Sequence, residues 1–125
     1  MPKPSSPDPR QVLGAHAEDR AAAHLESLGY SILERNVRLK VGELDIVAEH
    51  EDDLVFVEVR ARTDSSQVHP AETVTPRKQK QVVRCAMAYL QQHGIEDRMV
   101  RFDVVAVLQD LNRIEVYPAA FEAGR

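Results

Sequence analysis

At 125 residues, with 43% hydrophobic residues and one cysteine, the chain suits a single domain with its own core, and intrachain disulfides and cysteine-rich zinc sites are excluded. Sixteen basic and twenty acidic side chains leave a net charge of −4, which argues against indiscriminate binding to a polyanion. No apolar stretch approaches the roughly 20 residues needed to cross a bilayer, so no membrane partner is expected, and the lone Cys85 fits a reducing, cytoplasmic location.

In chain order, residues 1–9 interleave four prolines with Ser5, Ser6 and Asp8, lack the apolar core of a secretory signal, and are expected to be a disordered tail before one domain over residues 10–125. Asp8, Pro9 and Gln11 have the form of an N-cap, a first-turn proline and a capping-box partner. Leu13, Ala17, Ala21, Leu25 and Leu28 then recur at helical spacing, which predicts a first helix to about Leu28 with Gly29 as its left-handed terminus. A short strand over residues 30–37 leads to a loop over 38–42. Two segments rich in Val, Leu, Ile and Phe, 43–48 and 54–62, flank the charged group His50, Glu51, Asp52 and Asp53 and predict a β-hairpin. Residues 64–71 lack periodicity and are expected to form a mobile loop beside the site. Thr75 and Pro76 open a second helix with an apolar face of Val82, Val83, Ala86, Tyr89 and Leu90, ending near His93 and Gly94. Strands over 100–108 and 114–117 close an α/β fold of order α-β-β-β-α-β-β, a mixed sheet flanked by helices.

Three acids stand out. Glu18 lies about two turns from Leu25 on the apolar stripe of the first helix, at roughly 3.6 residues per turn. A carboxylate there needs a cation, a hydrogen bond or a proton, unless it snorkels from the helix edge to water. A hairpin turn centred on residues 50–53 sets Val47 opposite Phe56, Asp45 opposite Glu58 and Glu43 opposite Arg60 on one side, with Leu44, Ile46, Val57 and Val59 on the other. Facing carboxylates repel unless something positive lies between them. Oxygen donors without clustered His or Cys favour Mg²⁺ or Mn²⁺, which suits phosphodiester hydrolysis. In a different register Asp45 and Glu58 would be ordinary exposed strand residues. The five histidines show no metal spacing and are expected on the surface.

Around these acids lie Arg35, Arg38 and Lys40, and a run of Arg77, Lys78, Lys80 and Arg84 uninterrupted by acids. Each group suits phosphate contact or a solvated face. Lys78, Lys80 and Arg62 are best placed for a nucleic-acid backbone. Gln79, on the helical face of Val83, Ala86 and Leu90, is a candidate for orienting water or phosphate. Arg101 and Asp103 are expected to pair within one strand. Few aromatics leave little basis for base stacking.

The segments Gly14 to Glu18, GELDIV from Gly42, FVEVRAR from Phe56 and RFDVV from Arg101 resemble the YraN family over residues 14–121. That resemblance implies a restriction-endonuclease-like fold similar to archaeal Holliday-junction resolvases. It implies Glu18 as the helix acid and Asp45 and Glu58 as the acids of an Asp…Glu-x-Lys motif, with Glu18, Asp45 and Glu58 as metal ligands. It also implies DNA, branched DNA included, as the substrate, and homodimerisation by analogy. Arg60 stands where the superfamily's nucleases usually carry lysine, although YraN-type sequences occur with either. Arginine stays protonated and offers charge and a planar donor fork, so it can stabilise developing negative charge but not act as a base. A cross-strand pair with Glu43 is its other reading. Three functions remain in view: a Mg²⁺- or Mn²⁺-dependent nuclease, a nucleic-acid-binding module with weak or no catalysis, and a partner-binding protein without a nucleic-acid role.

Overall fold

A computed structural model describes residues 9–62, 74–109 and 112–123, with side chains from His16 onward in the first helix. The expected tail over residues 1–9, apart from Pro9, which is the first residue of the first helix, lies outside the described residues, as do the Asp8 cap, the packing of Leu13 and the loop over 64–71.

The chain runs α1 (Pro9–Ser27), β1 (Ser31–Leu39), β2 (Gly42–His50), β3 (Asp53–Arg62), α2 (Pro76–Gln92), β4 (Val100–Leu108) and β5 (Arg113–Phe121). This is the order expected from the sequence. The strands form one five-stranded sheet in the order β1-β2-β3-β4-β5. All neighbours are antiparallel except β3 and β4, which are parallel. A parallel pair needs a crossover, and α2 lies within the connection that supplies it.

The sheet is buried on both faces. Under α1, Ala17, Ala21, Ala22 and Leu25 meet Ile46, Ala48, Val55, Val57, Val105 and Val107. Under α2, Val82, Cys85, Ala86 and Tyr89 meet Leu44, Val47, Leu54, Phe56 and Phe102. The alanines let α1 approach closely, which explains how a helix with little apolar bulk can still seal a face. Among the described residues no helix is long and apolar enough to cross a membrane.

Local signals set the ends of the elements. Gly29, at φ +94°, ends α1, and the Tyr30 amide donates to the Leu25 carbonyl at 3.0 Å. Thr75 caps α2, its Oγ1 accepting from the Lys78 amide at 3.1 Å, with Pro76 following. Between β2 and β3 only Glu51 and Asp52 turn, both at positive φ (51° and 70°), and His50 pairs with Asp53. The expected register holds through Ile46↔Val57.

The expected loop over 38–42 is instead a two-residue hairpin turn, because β1 extends to Leu39, which pairs with Gly42. Gly42 has φ +148°, and a Cβ there would lie 3.0 Å from both Cys85 Sγ and Gln81 Nε2. Its lack of a side chain lets α2 sit against this turn. Gly42→Ala is expected to lower stability by about 1–3 kcal/mol in urea unfolding, combining backbone strain with overpacking. An alanine variant as stable as wild type would mean that Cys85 and Gln81 yield freely.

The last strand is also longer than its apolar pattern, continuing past Pro118 to Phe121. Its register against β4 shifts between Phe102 and Val104, and the Ala119 amide donates to Asp103 Oδ1 at 3.0 Å. A buried carboxylate thus accepts a hydrogen bond where regular pairing is interrupted.

Candidate active site

The site forms where β1 and β2 lose their regular pleat together. Between the pairs Arg35↔Ile46 and Val37↔Leu44 lie Asn36 and Asp45. Asn36 is at φ +53°, a left-handed conformation that Asn tolerates better than most residues. The alternation of β2 breaks at this point. Leu44 joins Val47 and Phe56 on the α2 side, while Ile46 and Val57 pack under α1 with Val59 against them. Grouping Leu44 with Ile46, Val57 and Val59 was therefore incorrect, since strict period-two alternation does not survive the irregularity.

Asp45 and Glu58 are brought together. Asp45 Oδ2 accepts from the Val59 amide at 2.9 Å, and its carboxylate hydrogen-bonds with that of Glu58. Glu58 is only 5% exposed. Burial and then the Asp45 charge push its carboxyl up to about 7, while burial also raises Asp45 despite the Val59 amide. Burial and mutual repulsion therefore act on both carboxyls, and the two titrate as a pair.

Glu18 approaches from α1. Burial, then repulsion from Asp45, raises its carboxyl to about 6, with Arg35 acting in the opposite sense. With its amide nitrogen turned toward α1, Asn36 donates to both Glu18 oxygens, at 2.9 and 3.2 Å. Glu18 is thus held at the site rather than snorkelling freely, although no group of three acidic, His or Cys side chains is gathered to hold a metal among the described residues. Asp45 and Glu58 form the assembled part of the candidate ligand set, and Glu18 stands beside it.

Two cations bracket Glu58. Arg60 Nη1 lies 3.8 Å and Lys78 Nζ 3.7 Å from the same Oε1. The expected alternative pairing of Arg60 with Glu43 is not observed. Glu43 accepts from Arg38 Nε at 3.0 Å. Lys78, expected on the nucleic-acid backbone, reaches into the carboxylate cluster. Lys80 is exposed on α2 and Arg62 is half-buried at the end of β3. Gln79 Nε2 donates to the Val74 carbonyl at 2.8 Å, so that nitrogen anchors the start of α2 instead of reaching for water or phosphate.

The family model described as Uncharacterised protein family UPF0102 matches residues 17–107. The chain belongs to the UPF0102 family. UPF0102 is the YraN family of the sequence resemblance. A UPF0102 protein of Desulforapulum autotrophicum is 47% identical over 115 residues, covering 90% of this chain and 95% of the relative. One from Geobacter sulfurreducens is 43% identical over 125 residues, covering 98% of each. One from Chlorobaculum parvum is 50% identical over 100 residues, covering 78% of this chain and 76% of its own.

Two features of this UPF0102 chain escaped sequence reasoning. Asn36 orients Glu18, and its signal was an Asn within a run otherwise read as strand. A second polar cluster shares no residue with the carboxylate pair, although Asp103 sits on β4 opposite Val57, the neighbour of Glu58, and in it the expected pairing of Arg101 with Asp103 is present at 2.9 and 3.0 Å. The Tyr30 hydroxyl donates to Asp103 at 2.7 Å, Arg101 Nη2 bonds His50 Nδ1 at 2.8 Å, and the His50 ring stacks on Tyr30 at 3.9 Å. His50, expected as a surface residue, is half-buried in this network because Arg101 and Tyr30 fold over it.

Proposed function

We propose that this UPF0102 chain is a divalent-metal-dependent nuclease that hydrolyses phosphodiester bonds in DNA, branched DNA included. The reading is carried by the buried Asp45 and Glu58 pair with Lys78 and Arg60 on one of its oxygens. Paired acids under mutual repulsion, with oxygen donors only, suit Mg²⁺ or Mn²⁺. Asp45 and Glu58 would hold the cation, with Glu18 as the third carboxylate. A cation so bound supplies Lewis acidity to a phosphoryl oxygen and acidity to water. The Val59 amide fixes Asp45, and Asn36 fixes Glu18, so the carboxylates are positioned before substrate arrives. Arg60 holds a permanent positive charge beside them, suited to the charge that builds on phosphate oxygens. Exposed Lys80 and half-buried Arg62 suit the backbone on either side. A cytoplasmic homodimer belongs to the same proposal.

The test is calorimetric titration of Mn²⁺ and Mg²⁺ into wild type and into Asp45→Asn with Glu58→Gln, beside cleavage of labelled duplex and four-way-junction DNA. The expected result is uptake and metal-dependent cleavage by wild type, both abolished in the double variant. Absence of uptake at millimolar metal would sink the site. Arg60, which cannot serve as a base, favours a second reading, a nucleic-acid-binding module without efficient catalysis. Metal uptake and DNA binding without cleavage would select it.

A further inference from the structure

Glu58 Oε1 is reached by two cations of different kinds. Arg60 extends from the same strand as Glu58, and its guanidinium is a rigid planar fork. Lys78 arrives from the other side of the site, on the first turn of α2, where its backbone amide is tied to Thr75 Oγ1 at 3.1 Å. Its side chain is 36% exposed, against 6% for Glu58. At 3.7 Å the ammonium is outside hydrogen-bond distance of Oε1. Lys78 is therefore a loosely held charge on a flexible stem, anchored at its backbone and open to solvent at its tip. Arg60 stands equally far from Oε1, at 3.8 Å with 38% of its side chain exposed, so what distinguishes Lys78 is a flexible stem with a single compact charge, carried on a helix rather than on the strand of Glu58 itself.

We propose that Lys78 is an exchangeable counter-ion, resting on Glu58 while the carboxylates are metal-free, yielding that place to a divalent cation, and thereby released to engage a phosphate of bound nucleic acid. This rests on the carboxylate pair being the cation site, as proposed above. Two positive groups cannot share one carboxylate oxygen without repulsion, so cation and ammonium compete. The cation and the phosphate both favour the displaced position of Lys78, so each strengthens the binding of the other, by equal factors in both directions. Lys78 consequently opposes the cation in the free protein and ceases to oppose it once phosphate is bound. A lysine that only braces Glu58, or only contacts phosphate, does not show this relief.

The experiment is Mn²⁺ titration of the full chain, alone and with a short phosphorothioate duplex that resists hydrolysis. It compares wild type, Lys78→Met and Arg113→Met, the last removing an equal charge from the exposed start of β5. Methionine keeps the apolar stem while deleting the charge. Lys78→Met is expected to bind Mn²⁺ alone about three- to tenfold more tightly than wild type, and to lose much of the further tightening that the duplex brings. Arg113→Met is expected to match wild type in both. If wild type takes up Mn²⁺ but Lys78→Met binds it no more tightly, or no more so than Arg113→Met, the exchange is overturned and the cation site stands. Tighter Mn²⁺ binding with undiminished tightening by the duplex overturns the release to phosphate. Wild type that takes up no Mn²⁺ overturns the cation site and the exchange together.

Discussion

Glu58→Gln is expected to make the metal-free protein more stable above about pH 8 and to flatten the dependence of its stability on pH. Glu58 holds its proton to about 7 in the folded chain, against an ordinary value of 4.5. The folded state therefore binds more protons than the unfolded state between those values, and stability falls as pH rises through that window. Glu18, raised to about 6, and Asp45, raised by burial, act in the same direction. Charging Glu58 beside Asp45 costs roughly 2–3 kcal/mol by the time the proton is lost, an order-of-magnitude figure for a coupled pair. Glutamine keeps the shape and removes that cost, so the gain is absent below about pH 4 and full above about pH 8. Urea unfolding with a chelator present, on both proteins across this range, measures it. Equal slopes in the two would show that Glu58 is not held protonated by its neighbours. Added Mn²⁺ should raise the stability of wild type far more than that of the variant, because only a ligand that binds the folded state shifts the balance.

That cost arises from two carboxylates that the fold holds together, and only part of the arrangement is legible in the sequence. The hairpin register was legible through Ile46↔Val57, because the short turn at Glu51 and Asp52 fixes it from nearby residues, but Asp45 and Glu58 lie beyond the last regular pair, where Asp45 accepts from the Val59 amide. The ends of α1 and α2 were legible for the same reason, since Gly29 and Thr75 act within one turn of their own position. Lys78 was legible as a helix-borne lysine but not as a neighbour of Glu58, because the docking of α2 depends on Gly42 meeting Gln81 and Cys85 across the fold. Asn36 was missed because its function arises from a break in β1 pleating opposite Asp45, which a period-two pattern has no means to express. The far half of β5 was missed because Pro118 looks like a terminator until the Asp103 carboxylate is seen bonding the backbone beyond it.

That carboxylate is the site of the largest expected loss of stability. Asp103 is fully buried and accepts from the Tyr30 hydroxyl, from Nε and Nη2 of Arg101, and from the Ala119 amide. It joins Tyr30, just before β1, to β4 and to the end of β5, and through Arg101 to His50 and Asp53 at the β2–β3 turn. Asp103→Ala removes the main counter-charge of Arg101, leaving the more distant Asp53 at 3.4 Å, and strips the acceptor from the Ala119 amide. Breaking one partner of a buried ion pair costs about 3–5 kcal/mol, a large part of the total stability of a small domain. Arg101→Met combined with Asp103→Leu should recover part of this, because it leaves no uncompensated charge, but not all, because Tyr30 and Ala119 still lose their acceptor. Denaturant unfolding of the two variants separates charge from hydrogen bonding. A loss under about 1 kcal/mol for Asp103→Ala would mean that water reaches Arg101 readily and that the cluster does not clamp the strands. Because this network shares no side chain with the carboxylate pair, although Asp103 sits opposite Val57 beside Glu58, milder replacements such as Asp103→Asn should lower stability more than Mn²⁺ affinity. The two clusters of charge in this small fold are thereby distinguishable, one holding the sheet together and the other setting two carboxylates against each other.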